Sequence, residues 1–308
     1  MIYGLDLALQ NGSDYIKNRL ETSFSWLRER GFKLIVKEED GSKYNVLLIT
    51  LRGPNHSGVF QGDDIVYIFK HQLAEILSDA IITQWEKDLI IKQVERNFRR
   101  LPRHEQVALT ERAYRFMRRC NDNESLNMLL KFGRKNKISH RILDQLHASN
   151  ALNLDGLINF CLQDYLKEIR FAVDLAYEDF KNEKQYNEFV KLLKYFVENQ
   201  PPRFVEVNVC LSESEGFLIW DDKGEAIDRK LIDYPDDIIE DLSSLDDLLI
   251  SILITVAPRR IVFHAVGGLP EGETLKTLRR VFMNRILICQ GCDRCLPFIV
   301  QDHRDQLT

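Results

Sequence analysis

The period of the hydrophobic pattern changes abruptly at Pro201-Pro202, and this change most constrains the fold. From about Asp63 to Gln200 large apolar side chains recur every three or four residues, the repeat of an amphipathic helix. Beyond the prolines Val205, Val207 and Val209 alternate with Glu206, Asn208 and Cys210, the period of two of a half-buried strand. Neither proline can donate a backbone hydrogen bond, and the first disfavours helical geometry at Gln200. A helical region must therefore stop there and an α/β region begin.

The first sixty residues show a third pattern. A short strand is predicted near Ile2 to Leu7, then a helix from about Asp14 to Arg30 with Ile16, Leu20, Phe24 and Leu27 on one face. Gly31 stands where a helix C-terminus favours glycine. Phe32 to Lys37 and Tyr44 to Leu51 are two further strands, and Asp40-Gly41 between them signals a hairpin. The loop RGPNHSG, with His56, closes this unit.

Within the helical region Phe69, Leu73, Leu77, Ile81, Trp85 and Leu89 predict one long helix, broken near its middle, that runs to about Phe98. Helices follow over about 104–119, 124–133 and 139–148, with polar breaks at NDN and RKNK. Two stripes come next: Leu157, Cys161, Tyr165, Ile169, Ala172, Ala176 and Phe180, then Tyr186, Phe189, Leu193 and Phe196. After the prolines, strands are expected over 205–210, 216–220, 226–232, 260–265 and 285–289, with helices over 244–256 and 271–282. The expected architecture is thus mixed α+β: a small N-terminal α/β unit (1–60), a central helical bundle (61–200) and a C-terminal α/β domain with a mixed sheet (203–308).

No apolar run reaches 18 residues, so no stretch is long enough to cross a bilayer as a helix. The beginning, MIYGLDLALQNGSD, lacks a cationic leader before an apolar core, which predicts a cytoplasmic protein without a signal peptide. No nucleophile elbow, phosphate loop or paired-histidine zinc motif occurs. Glu206 alone lies mid-strand where a ribonuclease-H-like nuclease would place its first carboxylate, and two-metal chemistry needs several. His71, His104, His140 and His147 fall on predicted helices without paired ligands, as surface or structural residues.

Of the six cysteines, Cys120, Cys161 and Cys210 stand alone in apolar or amphipathic segments and read as small core side chains. Cys289, Cys292 and Cys295 form C-x2-C-x2-C directly after the last predicted strand. Two intervening residues let successive thiolates converge on one centre, and Gly291 permits backbone angles other residues resist. A structural zinc requires four ligands. His264, at the end of the preceding strand, and His303 are the candidates for the fourth. An iron-sulfur cluster is the weaker alternative, because ferredoxin runs that begin this way continue to a fourth cysteine. A reversible disulfide within the cluster is another.

Charge is divided along the chain although the net charge is only -5. Residues 92–141 carry fourteen Lys and Arg against five acids, whereas 213–247 carry thirteen acids against three basic residues. Arg99, Arg100, Arg103, Arg115, Arg118 and Arg119 are candidate phosphate contacts for a nucleic acid. The alternative is a solvated basic face, or one that docks on the chain's own acids. Asp236, Asp237, Glu240 and Asp241 lack the spacing of a calcium loop and read as an acidic approach to the next helix.

INFCLQDYLKEIRFAVDLAYEDF, EFVKLLKYFVENQPP, DDLLISILITVAPRRIVFH and RILICQGCDRC, in that order, resemble the YtxC-like family of sporulation proteins from spore-forming Firmicutes. The resemblance implies a cytoplasmic protein associated with endospore formation. It carries over no catalytic activity and no ligand, and it assigns no role to the terminal cysteines. The residues and the resemblance together favour a non-enzymatic protein that binds another macromolecule, most simply a second protein, with a metal-dependent or redox enzyme as the alternative.

Overall fold

The computed structural model describes residues 2–41, 44–53, 62–118, 123–212, 216–227, 245–264 and 272–293. It divides into two compact units, Met1–Lys181 and Asn182–Thr308.

The first unit is built on a four-stranded sheet of order β2-β3-β1-β4, formed by β1 (Tyr3–Leu9), β2 (Lys33–Asp40), β3 (Asn45–Arg52) and β4 (Ala151–Asn153). β2 and β3 make the expected antiparallel hairpin, and β3 also pairs antiparallel with β1. The helix expected over 14–30 is instead two, α1 (Ser13–Ser23) and α2 (Ser25–Glu29). They are separated at Phe24, which is buried and packs on Phe69 with ring centroids 4.7 Å apart. Gly31 takes a positive φ of 77° just beyond α2, in the terminating role expected of it.

The long amphipathic repeat becomes α3 (Gly62–Ala80), a π-helical turn at Ile81–Trp85 and α4 (Glu86–Asn97), so the expected mid-helix break is a wider turn. α5 spans Arg103–Arg118. Where the sequence predicts two helices parted by RKNK, a single helix α6 runs over Glu124–Ala148, capped by the Asn123 side chain at 3.1 Å from the Leu126 amide. Arg134, Lys135 and Lys137 leave no break because each reaches carboxylates of neighbouring helices: Glu86 and Glu168, Glu75 and Asp79, and Glu168 respectively.

After α6 the chain returns to the first sheet, where β4 pairs parallel with β1. One apolar cluster then runs from Tyr3 through the helices to Ala176. Helix and strand segments on both sides of residue 60 therefore share a core, where the sequence suggested a boundary. A three-residue helical turn α7 (Leu154–Gly156) and a second π turn (Leu157–Cys161) lead into α8 (Gln163–Asn199), one 37-residue helix in place of two.

The residues of α8 beyond Lys181 belong to the second unit, with Val190 and Val197 in its core and Tyr186 and Leu193 packed against it. Phe189 and Phe196 of the expected stripe are exposed instead, because the covered face is the one that carries the two valines. The second sheet has order β6-β5-β7-β8, from β5 (Glu206–Ser212), β6 (Gly216–Asp221), β7 (Arg260–His264) and β8 (Ile286–Cys289). β5 pairs antiparallel with β6 and parallel with β7, and β7 parallel with β8, which makes the sheet mixed. α9 (Leu245–Val256) precedes β7 and α10 (Glu273–Phe282) precedes β8. The strand expected over 226–232 is a single bridge from Ala226 to Trp220, and residues 228–232 lie outside the described residues. Among the described residues no helix is long and apolar enough to cross a membrane.

Candidate metal centre

Strand pairing in the second sheet places Cys210, His264 and Cys289 in one register row across β5, β7 and β8. Residues paired in register share a face of the sheet. The opposite face carries Val207, Val209, Ile261 and Phe263, all fully buried in the unit's core. The half-buried strand expected at β5 is therefore covered on both sides: Asn208 and Cys210 are 4% and 3% exposed.

His264 closes β7 and Cys289 closes β8, so both side chains sit at the carboxyl edge of the parallel strands. The chain then turns back through Gly291, whose φ of 120° is open to glycine and strained for other residues. This turn brings Cys292 to His264, with Sγ 3.5 Å from Nδ1. The backbone N–H of Gly291 also donates to Cys289 Sγ at 3.4 Å. The ligand atoms of His264, Cys289 and Cys292 all lie within 4.8 Å of one another. Around a tetrahedral zinc, nitrogen and sulfur ligands are separated by about 3.5 Å and two sulfurs by about 3.8 Å, as follows from Zn–N and Zn–S lengths of ~2.0 and ~2.3 Å. The three atoms thus already span a volume that one ion can hold.

The histidine's orientation is fixed by its neighbour. Asn208 donates through Nδ2 to Glu206 Oε1 at 3.1 Å and to the Asp221 carbonyl at 3.2 Å. Both are acceptors, which orients the amide so that Oδ1 faces His264 Nε2, 2.9 Å away. Nε2 must then carry the proton, leaving the lone pair on Nδ1, the nitrogen that faces Cys292. A metal-binding imidazole needs this arrangement, one nitrogen donating to an outer partner and the other presenting its lone pair. Trp220 packs over the ring at 5.1 Å between centroids and shields it from water. Arg260 pairs with Glu206, so this carboxylate serves an ion pair and the amide of Asn208.

Of the four residues read from the sequence as metal ligands, the fold brings together His264, Cys289 and Cys292; Cys295, like His303, lies outside the described residues. Asn208 was missed, because nothing in the spacing of β5 marks an amide as the partner of a histidine 56 residues later.

The basic residues separate differently. Arg99, Arg100, Arg103, Arg115 and Arg118 are exposed on α5 and in the turn before it, and Arg119 is outside the described residues. Arg103 pairs with Glu95 at 2.7 Å, and Arg118 lies over the Tyr114 ring at 4.9 Å. Elsewhere in the basic stretch Arg112 pairs with Asp179, and Arg134, Lys135 and Lys137 with the acids named above. Much of the surplus is thus met by acids of the same unit that lie outside the stretch.

A two-unit α+β protein whose second sheet ends in a His/Cys/Cys group able to hold a metal is the class that fold and site define. The chain belongs to the YtxC-like family, whose model matches residues 71–287. It is similar to the uncharacterized protein YtxC of Bacillus subtilis (strain 168), 26% identical over 165 residues that cover 51% of this chain and 55% of that relative. The match therefore spans about half the length of either protein. No solved structure matches. The family match includes Asn208 and His264 and stops short of Cys289 and Cys292.

Proposed function

We propose that this chain is a cytoplasmic, non-enzymatic sporulation protein that binds another protein, and that a structural zinc ties down the end of its second unit. His264, Cys289 and Cys292 are three of the zinc ligands and Cys295 is the fourth, a Cys3His set. One observation carries the reading: three ligand atoms from β7, β8 and the turn after β8 converge within 4.8 Å, with His264 presented in the ligating tautomer. Zinc suits this donor set because it prefers thiolate and imidazole in tetrahedral array and has no redox chemistry to control. With Cys295 as the fourth ligand the site would have no open position for a substrate, which is why we assign the ion a structural role. Family membership supports the link to sporulation.

Metal analysis of protein purified without chelators tests the site. About one zinc per chain is expected, with near-complete loss in Cys292→Ser and in His264→Ala. Zinc content unchanged by both substitutions would refute it. Crosslinked pull-down from sporulating cells, with the wild type and a Cys289/Cys292/Cys295 triple-serine variant, tests the binding role, which predicts a partner recovered in stoichiometric amount with the wild type.

A further inference from the structure

The amphipathic pattern of α6 turns inside out at Gly133. In the second half of the helix Ile138, Ile142 and Leu146 are buried on the core-facing stripe, while Asn136, Lys137, His140 and Asp144 face solvent, as in an ordinary surface helix. Continued back at the same helical spacing, the core-facing stripe becomes Lys135, Arg134, Lys131 and Asn127. Carboxylates of neighbouring helices draw two of these inward: Glu86 and Glu168 hold Arg134, and Glu75 and Asp79 hold Lys135.

The large apolar residues of the first half, Leu126, Met128, Leu129, Leu130 and Phe132, are therefore turned away from the core and are 40–68% exposed. At about 100° per residue they spread over roughly 200° of the helix circumference. A contiguous exposed apolar face of this kind marks a site of interaction with a protein or a membrane. It is set among cations. From Asn123 to Lys137 four basic residues stand against the single acid Glu124. Arg118 at the end of α5 and Lys131 are both exposed and line one cavity, so their charges stand together at the flank of the apolar face. The carboxylate in that cavity wall, Glu86, is buried and already bonded to Tyr165.

We propose that the first half of α6 seats the protein on an anionic lipid surface. Leu126, Leu129, Leu130 and Phe132 enter the boundary between headgroups and acyl chains, and Arg118 and Lys131 meet lipid phosphates. Charge and shape both select lipid. A groove in a partner protein covers a stripe read at i, i+3, i+4 and i+7. Such a groove would leave the edges of an arc this wide in water, whereas acyl chains pack round it.

Flotation of the full chain with vesicles of phosphatidylglycerol or of phosphatidylcholine tests the proposal. Binding to phosphatidylglycerol is expected, at least about tenfold tighter than to phosphatidylcholine and weakened by added salt. The double variant Leu129→Glu/Phe132→Glu, at exposed positions that the core does not need, should lose at least about tenfold in affinity for phosphatidylglycerol. Lys131→Glu should lose about tenfold on the same vesicles. Phe189→Glu/Leu192→Glu, the same change at exposed positions of α8, should bind as wild type does. Light scattering without vesicles should give one mass for wild type and for Leu129→Glu/Phe132→Glu. No binding to either vesicle, equal binding to both, or equal loss in the two double variants would each overturn the proposal. A dimer that Leu129→Glu/Phe132→Glu abolishes would also overturn it, by assigning the face to a second copy of the chain.

Discussion

His264 Nε2 lies 2.9 Å from Asn208 Oδ1, and the other end of that amide is bound to Glu206 and to the Asp221 carbonyl. Asn208 is thus a positioning residue for the proposed metal centre, acting through the histidine it orients. Replacing it by leucine removes the acceptor, and zinc affinity should fall about 10–100-fold, the usual effect of losing an outer partner of a metal-bound imidazole. Asn208→Asp keeps an acceptor toward Nε2 but loses the donor that meets Glu206 Oε1 and the Asp221 carbonyl, so its affinity should fall as well. Chelator competition gives both values. Equal zinc affinity in Asn208→Leu and wild type would remove the positioning role.

Glycine 133 lies inside α6, and a Cβ built there meets nothing within 4 Å. Gly133→Ala should therefore stabilise the protein by about 0.5–1 kcal/mol, chiefly by restricting the unfolded chain. Gly133→Pro should cost about 3 kcal/mol or more, because it removes a helical hydrogen bond. Urea unfolding measures both changes. A proline variant as stable as wild type would mean that α6 is two helices, as the sequence first suggests.

Burial holds the Glu86 carboxyl above the ordinary carboxylate range, against the opposing pull of the Tyr165 hydroxyl and of Arg134 and Arg118. The folded protein then binds this proton more tightly than the unfolded chain does. Stability from this group is fully present below the ordinary carboxylate value and declines as pH rises through the raised one. Glu86→Gln keeps the shape and removes the titration. The difference in unfolding free energy, wild type minus variant, should fall as pH increases from 4 toward 7. A difference that is flat or rises with pH would contradict the burial argument.

Periodicity made most elements legible, because amphipathic helices and the β2–β3 hairpin carry their signals within a few residues. The features that failed depend on partners far along the chain. RKNK looks like a break until Glu75, Glu86 and Glu168 stand beside it. β4 has three residues, too short for any period, and exists only because β1 offers an edge. Both π turns occur within uninterrupted helical patterns. At the candidate site C-x2-C-x2-C and His264 were visible from residue type and spacing, but the amide that sets the histidine's tautomer became visible only when β5 and β7 paired.

Zinc K-edge X-ray absorption on the full chain, purified without chelators, tests the central claim most directly. A Cys3His site predicts a tetrahedral shell of three sulfurs at about 2.3 Å and one imidazole nitrogen at about 2.0 Å. In His264→Ala, which should hold almost no zinc, the edge itself should be nearly lost at equal protein concentration. A shell of oxygen or nitrogen without sulfur, or an unchanged spectrum in that variant, would contradict it.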